Sequence, residues 1–184
     1  QPPLDGSKVA LWLWLVEGGE VVSNGLQHGE YLHVWTADAR GEGATSEEQT
    51  RDILKRYTAT LNEEGCTLAD DCIRTWFYVQ DVDNNYAGLV RARREFFDEC
   101  GLRRDTHYIA STGIEGRNGA VGSVVTMDAY AVRGLSEEQI TFLYARDYLS
   151  PTADYGVTFE RGTEVRYGDR RHLFISGTAS IDSK

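Results

Sequence analysis

The first third of the chain alternates apolar runs with glycine-rich or polar breaks, a pattern that predicts β-strands. The run Val9–Val16 is almost wholly apolar and is typical of a buried strand, and Val21–Val22 follow a glycine-rich turn as a short return strand. Glu30–Thr36 is rich in β-forming residues and predicts another strand, which ends in a loop over Asp38–Gly43. We expect these segments to pair in one sheet.

Helical periodicity then predicts two helices that alternate with a strand. Ser46–Gln49 has the pattern of a capping box, and apolar residues recur at helical spacing from there to Gly65. Cys72–Val79 predicts a mostly buried strand. A second periodic run extends from Tyr86 to Cys100 and predicts another helix.

The next segment predicts two more strands, Thr106–Ser111 and Val121–Val132, which flank a polar loop with three glycines at Thr112–Ala120. Together with the preceding elements they predict an α+β unit, a sheet with two helices packed on one face. Ser136–Gln139 is a second capping-box pattern and predicts a short helix through Tyr144. Three strand-like runs follow it: Val157–Glu160, Thr163–Tyr167 and His172–Ser176.

These elements predict one complete domain over residues 1–150 and the opening strands of a second, truncated domain over residues 151–184. Pro151 marks the boundary because proline ends the preceding helical pattern. The segments 29–37 and 169–177 have a similar sequence shape, which indicates a duplication. Two unrelated strands of similar composition would give the same likeness, so both interpretations stay open at this stage.

Composition narrows the function classes. The chain has 184 residues and a formal net charge of −10, and this acidic balance disfavours nucleic-acid binding, which depends on cationic contacts to phosphate. The apolar run at the start has eight residues, too few to cross a bilayer. The three cysteines form no CxxC pair, which indicates neither a disulfide framework nor a metal site. We therefore expect a cytoplasmic protein without a cofactor.

The middle of the sequence resembles the YjgF/Rid family, also known as the endoribonuclease L-PSP family. The residues that carry the resemblance are Glu48–Arg51, Gly65–Asp71 and Glu95–Phe97, within a likeness that covers roughly positions 29–132. A second and weaker likeness, to the family's opening motifs, lies in Phe159–Gly162 and Phe174–Gly177. Duplicated members of this superfamily include the chorismatases, which hydrolyse or rearrange chorismate.

The resemblance implies a chorismate-mutase-like α+β unit that assembles around a barrel with two further domains. It therefore implies a homo-oligomer, either a trimer or a pseudo-trimer, and a small carboxylate ligand bound at the seams between domains. Four positions depart from the pattern of the family's deaminases. Ala110 replaces the arginine that grips the substrate carboxylate, Thr126 the glutamate, Val90 the asparagine, and Trp35–Thr36 the Ser-Gly pair.

Several residues are candidates for ligand binding. Ser111, Thr112 and Arg117 place hydroxyls and a guanidinium in the predicted loop where the family binds its ligand, although a solvated turn would have the same composition. Arg161 is a candidate seam residue, with a structural ion pair to its neighbour Glu160 as the alternative. Ser176 and Gly177 match the family's Ser-Gly pair in the second likeness.

Glu115 and His107 are the candidate catalytic residues. Glu115 offers a carboxylate within the predicted ligand loop, and His107 offers an imidazole, the type of side chain that most often acts as general acid or base, although a single strand histidine is more often a packing residue. Two functions remain: part of a tandem hydrolase or lyase for a small unsaturated carboxylate, chorismate-like or enamine/imine, and a non-catalytic ligand-binding or assembly module. The acidic charge disfavours a third, endoribonuclease or translation inhibitor.

Overall fold

A computed structural model describes residues 13–116 and 120–178. Nine strands and three α-helices occupy this part of the chain, together with two short 3-10 helices at Glu137–Gln139 and Thr152–Tyr155. The helices are α1 (Ser46–Glu63), α2 (Leu68–Asp71) and α3 (Val82–Glu99). The strands are β1 (Glu20–Val22), β2 (Gly25–His28), β3 (Tyr31–Arg40), β4 (Cys72–Val79), β5 (Ala110–Glu115), β6 (Val125–Arg133), β7 (Ile140–Leu143), β8 (Gly162–Arg166) and β9 (Arg171–Ile175).

The first six strands form one sheet in the order β1-β2-β3-β6-β4-β5. Strands β4 and β5 run parallel, because α3 carries the chain back between them, and the other neighbours run antiparallel. Helices α1 and α3 pack on one face of this sheet, over a core that includes Leu54, Leu89 and Phe77. The α+β fold with two helices on one face is therefore confirmed.

Helix α1 begins one residue earlier than its sequence pattern predicts. The N-cap is Thr45, whose Oγ1 accepts a hydrogen bond from the backbone N–H of Glu48 at 3.2 Å. The carboxylate of Glu48 accepts the backbone N–H of Thr45 in return, at 3.1 Å. Ser46 is instead the first helical residue and is buried, because it lies against Gly88 of α3. A capping box is present, but with Thr45 and Glu48 in place of Ser46 and Gln49.

The predicted strand boundaries are wrong on both sides of the ligand loop. On the far side of the loop, β6 begins at Val125 and not at Val121. On the near side, residues 106–109 form no strand, and Thr112–Glu115, predicted as loop, belong to β5. The reason is non-local: β5 pairs with β4 from Ala110 opposite Arg74 to Glu115 opposite Val79. Strand β4 supplies backbone hydrogen-bond partners along the whole segment, so the segment forms a strand although its own composition favours a turn.

The predicted strand at Val9–Val16 is not seen in its described half. Residues 13–16 have no regular structure, and Leu13 and Leu15 are exposed while Trp14 packs against aromatic rings. Residues 9–12 lie outside the described residues. The return strand at Val21–Val22 forms, but its hairpin partner is β2.

The predicted helix from Ser136 to Tyr144 is also wrong. The chain makes only the 3-10 turn, held by a 3.0 Å hydrogen bond from the backbone N–H of Ser136 to the side chain of Gln139, and then forms β7. Strand β7 pairs with β8, and β8 pairs with β9, in a second sheet of three strands. This pairing joins residues on either side of position 150, and the division into two domains stays a prediction.

The small sheet packs on the face of the large sheet that α1 and α3 leave uncovered. The contact is made by Tyr130 and Val132 of β6 and by Val165 of β8, with Tyr167 beside them. The predicted strand at Val157–Glu160 does not form, but Glu160 makes an isolated parallel bridge to Ala110. Residues that flank the strands of the small sheet therefore also contact β5, and we call this line of contact the seam.

Candidate functional site

Four of the predicted ligand-binding residues meet at the seam. The backbone N–H of Ser111 donates a 2.8 Å hydrogen bond to the hydroxyl of Ser176. One residue further along, the N–H of Gly177 donates to the hydroxyl of Thr112 at 2.8 Å. A Cβ atom at position 177 would lie 2.7 Å from the Thr112 Cγ2, so the close approach of the two chains requires glycine there.

Ser111 and Thr112 point to opposite faces of the sheet, because consecutive strand residues alternate. The Ser111 hydroxyl faces the helices, where it accepts hydrogen bonds from Thr75 at 2.8 Å and from the guanidinium of Arg93 at 3.3 Å. The Thr112 hydroxyl faces the other way and accepts a hydrogen bond from Arg74. The pair therefore contributes to two different environments and does not form a single hydroxyl cluster.

Arg74 is the functional candidate that the sequence reasoning missed. It is only 3% exposed, its Nη1 donates to the Thr75 carbonyl at 3.0 Å, and its guanidinium lies 4.7 Å from the centre of the Trp76 ring. Burial lowers the pKa of Arg74 to about 10, so the group stays cationic at neutral pH. The sequence did not indicate a functional role for Arg74, because this residue lies in an apolar run that predicts a buried strand.

Arg74 lines an open groove of about 570 Å³ next to the seam. We call it the seam groove. It combines a second guanidinium, that of Arg171, with the rings of Trp14, Trp76 and Phe174. The remaining lining residues are Leu13, Leu15, His172, Leu173 and Ile175. A groove with two cations and several aromatic faces can bind a flat anion by charge and by stacking.

His172 brings an imidazole to the same groove. Burial lowers the pKa of His172 below its usual value, with the nearby positive charge of Arg170 acting in the same direction. The ring packs against Trp14 at 5.3 Å and Tyr167 at 5.1 Å between ring centres. Within the described part of the chain its buried Nδ1 has no hydrogen-bond partner. A neutral imidazole in this position can accept a proton or a hydrogen bond.

The structure does not bring the two predicted catalytic residues together. The carboxylate of Glu115 accepts the backbone N–H groups of Asp81 at 3.1 Å and Val82 at 2.7 Å, so it caps the start of α3. His107 lies before the other end of β5, where its Nε2 is 2.9 Å from the Ala69 carbonyl oxygen and its ring stacks on Phe142. Both assignments stay predictions, and both side chains already hold structural contacts.

Arg161 lies apart from the seam groove. Its backbone carbonyl accepts the N–H of Ser176 at 2.9 Å, but its side chain lines a different cavity together with Glu160. The two side chains make no ion pair with each other among the residues that the structure describes. Arg117 lies outside the described residues.

Other kinds of site have little support in residues 13–116 and 120–178. This part of the chain has no cluster of three or more His, Cys, Asp or Glu side chains suited to a metal ion. Burial raises the pKa of Cys66 to about 11 and of Cys72 to about 12, so both thiols stay protonated and unreactive at neutral pH. No helix of the described chain has the length and apolar character needed to span a membrane.

The comparisons with known proteins agree on the fold. No protein-family model matches the sequence, and no curated protein matches it. The structure is similar to that of a chorismatase, with 25% sequence identity and a TM-score of 0.57, over 85% of this chain and 47% of the chorismatase chain. It is also similar to a YjgF-family protein from Neisseria meningitidis, with 19% identity and a TM-score of 0.50, over 62% of this chain and 89% of that one. The chain therefore has the YjgF-like α+β fold.

Proposed function

We propose that this chain, with its YjgF-like fold, binds a small unsaturated carboxylate in the seam groove and forms one part of a tandem hydrolase or lyase. The observation that carries the proposal is the convergence of Arg74 and Arg171 with aromatic rings in one groove of about 570 Å³. A guanidinium fork matches the two oxygens of a carboxylate, and indole or phenyl faces stack on a conjugated ring or chain. Together the two features favour a ligand that combines a negative charge with a flat conjugated surface.

The charge distribution supports an anionic ligand. The chain as a whole carries −10, so a small anion is repelled by most of the surface. The seam groove has two arginines and no acidic residue among its described lining; the nearest acidic partner of Arg171 is Glu164, at 3.8 Å and outside the lining. Because the groove is positively charged and the protein as a whole is negatively charged, an anion binds more favourably in the groove than elsewhere on the surface.

A chorismate-like ligand is the leading candidate within this class. The chorismatase likeness extends over 85% of this chain, although it spans only about half of the chorismatase, 47% of its length. An enamine or imine substrate has less support, because Ala110 and Thr126 stand where the resembled deaminases have their arginine and glutamate. His172 is our candidate proton acceptor, since it brings an imidazole to the lining of the seam groove and burial lowers its pKa, which favours the neutral form.

Replacing Arg171 by glutamine is expected to weaken chorismate binding by about 10-fold or more, since a hydrogen bond to a charged group contributes about 1.5–3 kcal/mol. The Arg171 side chain is 67% exposed, so the change leaves the core intact. Binding is measured by the quenching of tryptophan fluorescence as chorismate is added, because Trp14 and Trp76 line the groove.

The matched control for that experiment is Arg166→Gln. Arg166 is the register partner of Arg171 on the neighbouring strand and carries the same charge, but it does not line the seam groove. We expect it to bind chorismate as the parent does. Equal affinities in the parent and the Arg171 variant, or no saturable quenching at all, would remove the seam groove from the proposal.

A second candidate function is assembly without catalysis, and the exposed edge of the small sheet favours it. Leu173 and Ile175 on β9 are 59% and 61% exposed, although both are large apolar residues on an edge strand. A second copy of the chain would cover them and extend the sheet. This proposal includes the trimeric or pseudo-trimeric homo-oligomer implied by the family resemblance.

We therefore expect sedimentation velocity to show an oligomer that Leu173→Lys converts towards monomer, because a lysine at an edge opposes strand pairing. Exposed Val21→Lys on β1, at the far edge of the large sheet, serves as the control and should leave the oligomer unchanged. A parent that sediments as a monomer over a wide concentration range would contradict the assembly proposal.

A further inference from the structure

A second cavity, of about 290 Å³, lies between the segment that follows α3 and the segment that joins β7 to β8. It is more enclosed than the seam groove and shares no lining residue with it. We call it the arginine pocket after three of its residues. Its lining consists of Arg104, Thr106, Tyr108, Tyr144, Arg146, Pro151, Thr152, Ala153, Glu160 and Arg161.

Arg161 is the central feature of the arginine pocket. It is 6% exposed, and its guanidinium lies between aromatic rings, 5.6 Å from the centre of Tyr155 and 5.5 Å from that of Phe159. Its Nη2 donates to the Ser150 carbonyl at 2.9 Å. Among the described residues, however, its buried Nε and Nη1 have no hydrogen-bond partner. Buried donors are seldom left unpaired in proteins, and the described residues supply no acceptor for these two.

The other charges in the pocket leave it positive. Arg104 forms a 3.0 Å ion pair with Asp154, while Arg146 lies 4.7 Å over the Tyr144 ring and has no acidic partner among the described ion pairs. Glu160 is 5% exposed, accepts the Tyr108 N–H at 2.8 Å, and does not bond to Arg161. Three cations therefore face two carboxylates, Asp154 and Glu160.

The raised pKa of Glu160 reduces the opposition of this carboxylate to an anionic ligand. Burial raises the pKa of Glu160 above its usual value, against the smaller opposing effects of the Tyr108 N–H and of Arg146. An anion that bound beside it would raise the pKa further, because two like charges disfavour each other.

We infer that the arginine pocket binds a small tetrahedral oxyanion of the phosphate class, either free or as the phosphate group of a small metabolite. A planar carboxylate offers two oxygens and can engage one guanidinium fork fully. A tetrahedral dianion offers oxygens in several directions, and so matches donors that approach from Arg161, Arg146 and Arg104. The inference rests on residues separate from those of the proposed function.

Isothermal titration of the full chain with inorganic phosphate, at constant ionic strength, tests this inference. We expect saturable binding by the parent, and a loss of at least 10-fold in affinity in Arg161→Gln. A parallel titration with glycerol 3-phosphate distinguishes free phosphate from a phosphate monoester, and acetate tests the preference for a tetrahedral anion. Tighter binding of acetate than of either phosphate would overturn the assignment of ligand class.

Arg146→Gln provides a second variant in case Arg161→Gln does not fold, because Arg146 is exposed and outside the core. It should weaken phosphate binding by about 10-fold as well, the usual effect of a lost charged hydrogen bond. Arg91→Gln, an exposed arginine paired with Glu47, should bind phosphate as the parent does. Absent binding in the parent at millimolar phosphate, or unchanged affinity in the Arg146 variant, would overturn the inference.

Discussion

Replacing Phe77 by alanine is expected to lower the free energy of unfolding by about 3–5 kcal/mol, the usual cost of emptying a large aromatic site in a core. Phe77 is in the middle of β4, is 0% exposed, and has Met127 of β6 and Gly113 of β5 beside it in the sheet. Its glycine neighbour offers no side chain that can collapse into the space. Denaturant unfolding followed by circular dichroism measures the change.

Phe77→Leu is the matched control, since it keeps most of the volume and should cost less than about 2 kcal/mol. Trp76→Ala tests the other face of the same strand. Trp76 is only half-buried and lines the seam groove, so we expect its loss to reduce ligand binding more than stability. If the free energy of unfolding of Phe77→Ala lies within about 1 kcal/mol of that of the parent, roughly the effect of a surface substitution, the core does not depend on Phe77.

Replacing Arg93 by methionine is expected to raise the free energy of unfolding by about 1–4 kcal/mol, as exchanges of buried charges for apolar residues of similar size often do. Arg93 is 1% exposed in α3, and within the described chain its Nε and Nη2 have no hydrogen-bond partner. Burial lowers the pKa of Arg93 because it destabilises the charged form of the side chain. The same effect destabilises the folded protein, in which this charge is buried. A methionine fills the space between Phe77 and Phe159, against which the guanidinium now lies.

The same denaturant experiment measures this gain, with Arg91→Met as the control. Arg91 is two residues away on the same helix, is exposed, and pairs with Glu47, so its substitution should change stability by no more than about 0.5 kcal/mol. A loss of stability in Arg93→Met would mean that an acceptor, such as an ordered water, satisfies the buried guanidinium. The sign of the change decides between the two cases.

Elements whose signals are local could be predicted from the sequence. The bounds predicted for β4 are those observed, and α1 and α3 form where apolar residues recur every three or four positions. Such periodicity needs no partner to be recognised, because it reflects which side of a single element is buried. The fold class followed from the order of these elements and from the family resemblance in residues 29–132.

Features that depend on pairing between distant segments appear only in the folded protein. The sequence of Thr112–Glu115 predicts a glycine-containing loop, but pairing with β4 makes this segment a strand. Pairing with β8 likewise makes Ile140–Leu143 a strand where the sequence predicts a helix. A strand shows its register only when its partner is known, whereas a helix satisfies its own backbone hydrogen bonds.

The candidate sites were decided in the same way. Arg74 reaches the seam groove because the pairing of β4 with β6 shifts register between Cys72 and Arg74, which changes the face on which the following residues lie. Ser176 and Gly177 meet β5 across more than sixty positions of sequence, and Arg161 turns its side chain into a separate pocket. The sequence identified residue types able to bind an anion, and the folded sheets determined which of them share a cavity, because one residue of register moves a side chain to the other face.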